Sequence, residues 1–280
     1  MLGRDRTPPT PFILTVIGLG AFITAMDQTV VVTALPIVML DLKVPIAELG
    51  LVSWVITAYL LGYTVAMPLI GRLGDVYGYP RIYQMCLVIF CIGTILVAVS
   101  SSLGWMVGAR VIQAIGGGAT VPIGMALATT LVPKGQRGLA LGIVGASAEV
   151  GSMLGPAYGG AIVELLSWRW IFWLNVPQSA VIFLALFWMP NRREIGAKMD
   201  YMGGVILVGA LLVLSLALSR TGLFTFDSPY PFLLTAGGVG LVAILILVEA
   251  RTLQPLLAPV LFRSWAFLAS NMTQVLVGVA

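Results

Sequence analysis

The sequence predicts an all-α, polytopic membrane protein on three observations. Charged residues make up 9% of the chain and hydrophobic ones 59%, against about 25% and about 45–50% in ordinary soluble domains. The mean hydropathy is +1.04. The apolar residues also fall into runs close to the roughly 20 residues that a helix needs to cross a bilayer. A soluble domain of this size would need far more polar surface to cover its core.

Taken in order, eight complete apolar segments are expected at 12–40, 51–70, 82–101, 105–127, 138–163, 168–189, 201–219 and 231–248. A ninth, 266–280, is too short to cross, so the chain is expected to be cut within a helix. The first segment follows Arg4 and Arg6, has no clear cleavage site and exceeds the length of a signal-peptide core, so it reads as an uncleaved span. Cys86 and Cys91 share one segment, and their five-residue spacing points them in different directions on a helix, as packing residues rather than a local disulfide.

The connecting loops alternate in basic content. One set holds Arg4, Arg6, Arg72, Arg81, Lys134, Arg137, Arg192, Arg193, Lys198, Arg251 and Arg263; the other holds Lys43, Arg169 and Arg220. The positive-inside rule then places the amino terminus and the first set in the cytoplasm, with the protein in the cell membrane. The net charge of +4 does not point to nucleic acid, because the cations are scattered through short loops. The expected partner is the lipid bilayer.

Three ionisable residues fall well inside the spans: Asp27, Arg110 and Glu149. Helical rise puts Asp27 about 22 Å from the inner boundary of a core about 30 Å thick. Arg110 lies about 10 Å in from the outer boundary, at a similar depth, and Glu149 lies near the midplane at about 16 Å. Charges at such depths are costly and mark functional sites by default. At about 100° per residue, Arg110 shares a face with Gln113 and Gly117, and Asp27 with Gly20, Thr24 and Ala34. Glu149 shares a face with Gly142 and Gly145, while Gly151, Gly155 and Gly159 form a smooth packing stripe on roughly the opposite side. Two readings stay open for the pair at equal depth: an Asp27–Arg110 ion pair that only fixes helix packing, or a pair that works. With no histidine in the chain, proton chemistry in the spans must use carboxylates. Glu149 is the first choice for such a site.

Five motifs then occur in order. Residues 27–36 read DQTVVVTALP, 71–78 read GRLGDVYG and 110–118 read RVIQAIGGG. Residues 142–160 read GIVGASAEVGSMLGPAYGG and 168–177 read WRWIFWLNVP. Together they resemble the major facilitator superfamily, and within it the fourteen-helix drug:proton antiporters of the EmrB/QacA type. Residues 200–203 and 255–262 resemble the linker helices of that branch. The stretch WVITAYLLGYTVAMPLIGRLGD is similar to a branch that moves lipids or lipophilic compounds across mycobacterial-type envelopes.

The resemblance implies a six-helix amino-terminal bundle at 1–190, built as two inverted three-helix repeats. It implies two inserted linker helices at 191–264 and the start of a carboxy-terminal bundle at 265–280, whose remainder would be a missing partner half. It places Asp27, Glu149, Arg110 and Gln113 in a proton-coupling cavity. It makes Gly71, Asp75 and Gly78 a latch in a tight loop, and it makes Gly142, Gly151, Gly155, Pro156, Gly159 and Gly160 the antiporter motif, with Gly155 and Pro156 between the two halves. Val76, Tyr79 and Pro80 stand where the family usually has basic residues around the loop motif; Val32 and Ala114 depart from a common asparagine and glycine. The implied function is export of lipophilic or cationic compounds driven by the proton gradient, with a small lipophilic substrate as partner and no cofactor. The alternative is a lipid or lipophilic-metabolite exporter built the same way. A membrane-embedded enzyme would need clustered ligands or a nucleophile, and the sequence offers no such cluster.

Overall fold

The computed structural model describes residues 8–45, 49–191, 196, 199–218, 230–252 and 264–279. The described residues hold helices and no strand. In chain order these are α1 (Thr10–Asp41), α2 (Leu49–Val52), α3 (Trp54–Tyr77), α4 (Tyr79–Ala98), α5 (Leu103–Gly117) and α6 (Thr120–Leu131). They continue with α7 (Arg137–Leu165), α8 (Arg169–Ala185), α9 (Tyr201–Leu218), α10 (Tyr230–Glu249) and α11 (Trp265–Val279). Seven stretches among them are long and apolar enough to cross a membrane, with α2–α3 and α5–α6 each forming one stretch; α9 is shorter. Helix is the expected outcome, because a backbone in hydrocarbon must satisfy its hydrogen bonds within its own segment. Of the basic loop residues, Arg4, Arg6, Arg192, Arg193, Lys198, Arg220 and Arg263 lie outside the described residues, as do residues 255–262.

Two spans differ from a simple rod. The fourth breaks between α5 and α6 at Gly118 and Ala119. Gly116, Gly117 and Gly118 weaken the helix there, and Pro122 has no N–H to donate to the carbonyl of Gly118. The second span does not end at Ile70. Helix α3 runs on through the GRLGDVYG motif to Tyr77, and α4 starts at Tyr79. The expected loop is therefore helical apart from Gly78, whose φ of 94° and ψ of 133° turn the chain in one residue. Gly71 sits within the helix with open space around it, so it does not form a turn.

The chain divides into two compact units, 1–195 with 219–228 and 196–218 with 229–280. In the first, α1 packs chiefly on α7 and also on α6 and α8; α5 packs on α3 and α4, and α4 on α8. Two apolar clusters fill this bundle. One, at the end that carries Asp75, gathers Ile13, Ile17, Ile70, Ile82, Leu127 and Leu186. The other, at the end that carries Asp41, gathers Val30, Val38, Val97, Met106, Trp168 and Phe172. In the second unit α9 packs along α10, where a Cβ on Gly238 would come within 2.6 Å of the Leu214 side chain.

Candidate functional site

Between the two apolar clusters of the first unit lies a polar layer centred on Asp27. Helix α1 supplies Asp27, α5 supplies Arg110 and Gln113, α8 supplies Asn175 and α4 supplies Thr94. All five are at most 1% exposed. Arg110 Nη1 donates to Asp27 Oδ2 at 2.9 Å and to Gln113 Oε1 at 2.7 Å. Asp27 Oδ1 accepts from Gln113 Nε2 at 3.1 Å and from Asn175 Nδ2 at 2.6 Å. Gln113 Nε2 also donates to Thr94 Oγ1 at 2.9 Å. Each carboxylate oxygen thus has at least one donor, which is what burial of a charge demands. The guanidinium lies over the ring of Tyr59 on α3, with Cζ 4.0 Å from the centroid.

The backbone brings these groups together by close approach. A Cβ on Gly93 would sit 2.3 Å from the backbone nitrogen of Gln113, and one on Gly116 would sit 2.3 Å from that of Phe90. Helices α4 and α5 therefore meet backbone to backbone, and Gln113 can span from Asp27 to Thr94. One turn nearer the Asp75 end, Thr24 and Thr120 hydroxyls meet at 2.6 Å, so α1 is tied to α6 just past the break.

Asp27 is sealed within the bundle, not set on an open face. The residue is 1% exposed within this unit, its carboxylate held by Arg110 and Gln113 of α5 and by Asn175 of α8. Glu149 is the opposite case. It stands exposed on α7, on the same side as Gly142, whose Cα faces open space. Gly145 likewise has nothing within 4 Å of a built Cβ. Beside this face, α1 and α7 border an open groove of about 850 Å³ with Leu14, Gly18, Leu19, Phe22, Ile143 and Ser147 in its walls.

The glycine stripe on α7 packs against α1. A Cβ would lie 2.4 Å from the carbonyl oxygen of Phe22 at Gly151, 2.0 Å from Thr29 Oγ1 at Gly155 and 2.7 Å from Thr33 Oγ1 at Gly159. Thr29 and Thr33 hydroxyls donate across this seam to the carbonyls of Ser152 at 2.9 Å and Pro156 at 3.3 Å. Gly155 is thus occupied by α1 inside the bundle, whereas Pro156 is exposed and Gly160 has open space beside it.

The remaining site residues lie at the Asp75 end. Asp75 accepts from Arg72 Nη1 at 3.3 Å and from the Tyr79 hydroxyl, across the Gly78 turn. Tyr79 stands at one of the positions where the resemblance leads one to expect a basic residue, and its phenol holds the acid beside the Arg72 guanidinium. At the other end, Asp41 accepts from Arg169 at 2.5 Å and from the Trp168 indole at 3.1 Å, while Arg169 also donates to the carbonyl of Ser100 at 3.2 Å. That clasp joins the ends of α1 and α4 to the start of α8.

Sequence reasoning missed Asn175, Thr94 and Tyr59 as members of the polar layer. Asn175 carried a signal, an amide inside an apolar helix and inside the WRWIFWLNVP motif. Thr94 and Tyr59 carried none, since neutral hydroxyls and aromatic rings are ordinary in spans.

Comparison with known proteins fits this architecture. Residues 17–199 match the Major Facilitator Superfamily. The chain is 34% identical over 263 residues to an uncharacterized MFS-type transporter of Mycobacterium tuberculosis, covering 93% of this chain and 45% of that protein. It is 38% identical over 210 residues to a triacylglyceride transporter of Mycolicibacterium smegmatis, covering 74% of this chain and 37% of that one. The chain therefore spans less than half the length of these relatives. Its fold is similar to the human organic anion transporter MFSD10, with a TM-score of 0.57 at 20% identity over 74% of this chain and 55% of that one. It is also similar to the POT family transporter PepTSo, with a TM-score of 0.59 at 17% identity over 88% and 54%. On its helical architecture, its motifs and a match over residues 17–199, the chain belongs to the Major Facilitator Superfamily.

Proposed function

We propose that this chain forms the amino-terminal part of a proton-coupled exporter whose cargo is a lipid of the triacylglyceride class. The observation that carries the reading is the contrast on neighbouring helices: a sealed Asp27–Arg110 pair and an open Glu149. Glu149 stands where cargo and protons can reach it. The Asp27–Arg110 pair lies where a change in its ionisation would be felt by α1, α5 and α8 together. In this reading Glu149 exchanges its proton at the open face, and protonation of Asp27 loosens the layer as the protein changes conformation. The proton gradient supplies the driving force.

A lipid cargo is favoured over drug-like cations by the relatives named triacylglyceride transporters and by the apolar groove that reaches Ser147, two residues before Glu149. Helices α9 and α10 would be the inserted pair of the fourteen-helix branch, and the amino terminus would face the cytoplasm of a cell-membrane protein. The second reading, multidrug efflux by the same machinery, is favoured by the order of the five motifs.

The test is flux in proteoliposomes that contain the full-length protein. A fluorescent triacylglycerol and a cationic dye are offered in parallel, with and without an imposed proton gradient. Lipid flux that requires the gradient and is lost in Glu149→Gln is the expected result. Gradient-driven movement of the dye with no movement of lipid would establish the multidrug reading instead. Lipid flux indifferent to the gradient would remove proton coupling.

A further inference from the structure

The cation in the polar layer is held less completely than the acid. Arg110 has five N–H donors, yet its two hydrogen bonds both leave from Nη1. Its Nε is buried without a hydrogen-bond partner. A further contact is the face of Tyr59, stacked 4.0 Å from Cζ. Tyr59 is itself 1% exposed, and its hydroxyl is buried without a hydrogen-bond partner. The ring, not the hydroxyl, is what Tyr59 offers.

We propose that Tyr59 is a positioning residue that holds the Arg110 guanidinium when Asp27 lets it go. This role rests on the reading that Asp27 exchanges a proton. An arginine in a protein keeps its charge. When Asp27 becomes neutral, the guanidinium remains in a layer closed to solvent. Arg110 and Gln113 of α5 and Asn175 of α8 donate to Asp27; Thr94 of α4 meets Gln113, Tyr59 of α3 meets Arg110, and Tyr158 of α7 lies within electrostatic reach. Arg110 alone among these carries a fixed charge, and among the described residues no second acid is buried in the layer to replace the lost one. Gln113 Oε1 still accepts one bond and the neutral carboxyl can accept another, but neither offsets the charge, and the π-face of Tyr59 is what remains to face it. A desolvated cation–π contact is strong enough to matter here. The contact is already made in the paired state; once the carboxylate's charge is gone the ring is the guanidinium's main electrostatic partner, so the contact weighs more in the open state and favours it.

The experiment is the pH profile of gradient-driven flux for the full-length protein. Tyr59→Leu removes the ring, so the open state is reached only at higher proton concentration. Its midpoint is expected to move to lower pH by about one unit, a tenfold change in proton concentration. Tyr59→Phe keeps the ring and is expected to retain the midpoint. Where Tyr59→Leu fails to fold, phenylalanines of increasing fluorination at position 59 weaken the π-face at nearly constant shape. The midpoint is then expected to fall stepwise along that series. An unmoved midpoint in folded Tyr59→Leu, or a flat fluorination series, overturns the role of Tyr59. So does a shift in Tyr59→Phe as large as that in Tyr59→Leu. Asp27→Asn separates this from the parent reading. Flux that keeps its full pH dependence in Asp27→Asn overturns proton exchange at Asp27, and the Tyr59 role with it. A pH dependence lost in Asp27→Asn beside a flat series at position 59 overturns Tyr59 alone.

Discussion

Asp27 and Glu149 are both acids at membrane depth, on helices that pack against each other, and the bundle surrounds them in opposite ways. Asp27 receives donors from Arg110 and Gln113 on α5 and from Asn175 on α8, and is buried between them. Glu149 is exposed on α7, beside glycines with nothing near them. The seam between α1 and α7 explains both. Gly151, Gly155 and Gly159 let α1 come so close that one side of α7 is fully used, and Glu149, on the other side, is left facing out. Hence one acid couples helices to one another, while the other is available to something outside the unit.

The comparison can be broken by substitution, and stability separates the two regions most clearly. Arg110→Leu leaves Asp27 buried without its cation and is expected to cost about 3–5 kcal/mol. Melting of the purified full-length protein in detergent would read this as a large drop. Asp27→Asn in the same chain should restore much of it, since the uncompensated charge is then gone. A loss of stability in Arg110→Leu no greater than in a surface variant would mean that the pair is not the keystone of the layer.

At the seam, Gly155→Val drives a side chain into Thr29 and is expected to cost about 1–3 kcal/mol. Gly142→Val, on the open side of the same helix, should stay within about 0.5 kcal/mol. Equal melting temperatures for these two valines would deny that α7 has one packed and one open side. Thr24→Val removes the hydroxyl contact to Thr120 and should cost about 0.6 kcal/mol, a typical value for interhelical hydrogen bonds in membranes. Glu149→Gln should change the melting temperature least, within about 0.5 kcal/mol, while abolishing gradient-driven flux. A Glu149→Gln protein that melts early but transports normally would reverse the assignment of the two acids.

Much of this was legible in the sequence where depth and phase decide the outcome. Rise per residue placed Asp27 and Arg110 at one level, and the structure pairs them at 2.9 Å. Helical phase put Gly151, Gly155 and Gly159 opposite Glu149, and the structure packs that stripe on α1. Tertiary closure was not legible. Nothing in the apolar pattern says that α8 brings Asn175 to Asp27, or that α3 brings Tyr59 over Arg110, because those contacts depend on how helices cross. The helical course of residues 71–77 was missed for a related reason. Glycines and charges there read as a loop, yet helix continues until the one position that needs a positive φ.

That position, Gly78, has a consequence for how the protein moves and is made. A single residue between Tyr77 and Tyr79 leaves no slack between the second and third spans. In the folded protein the two spans cannot separate at that corner and turn as one hairpin. The side chain of Asn191 crowds Gly78 and donates to the carbonyl of Tyr77 at 3.2 Å, so the corner is pinned only after the sixth span has emerged from the ribosome.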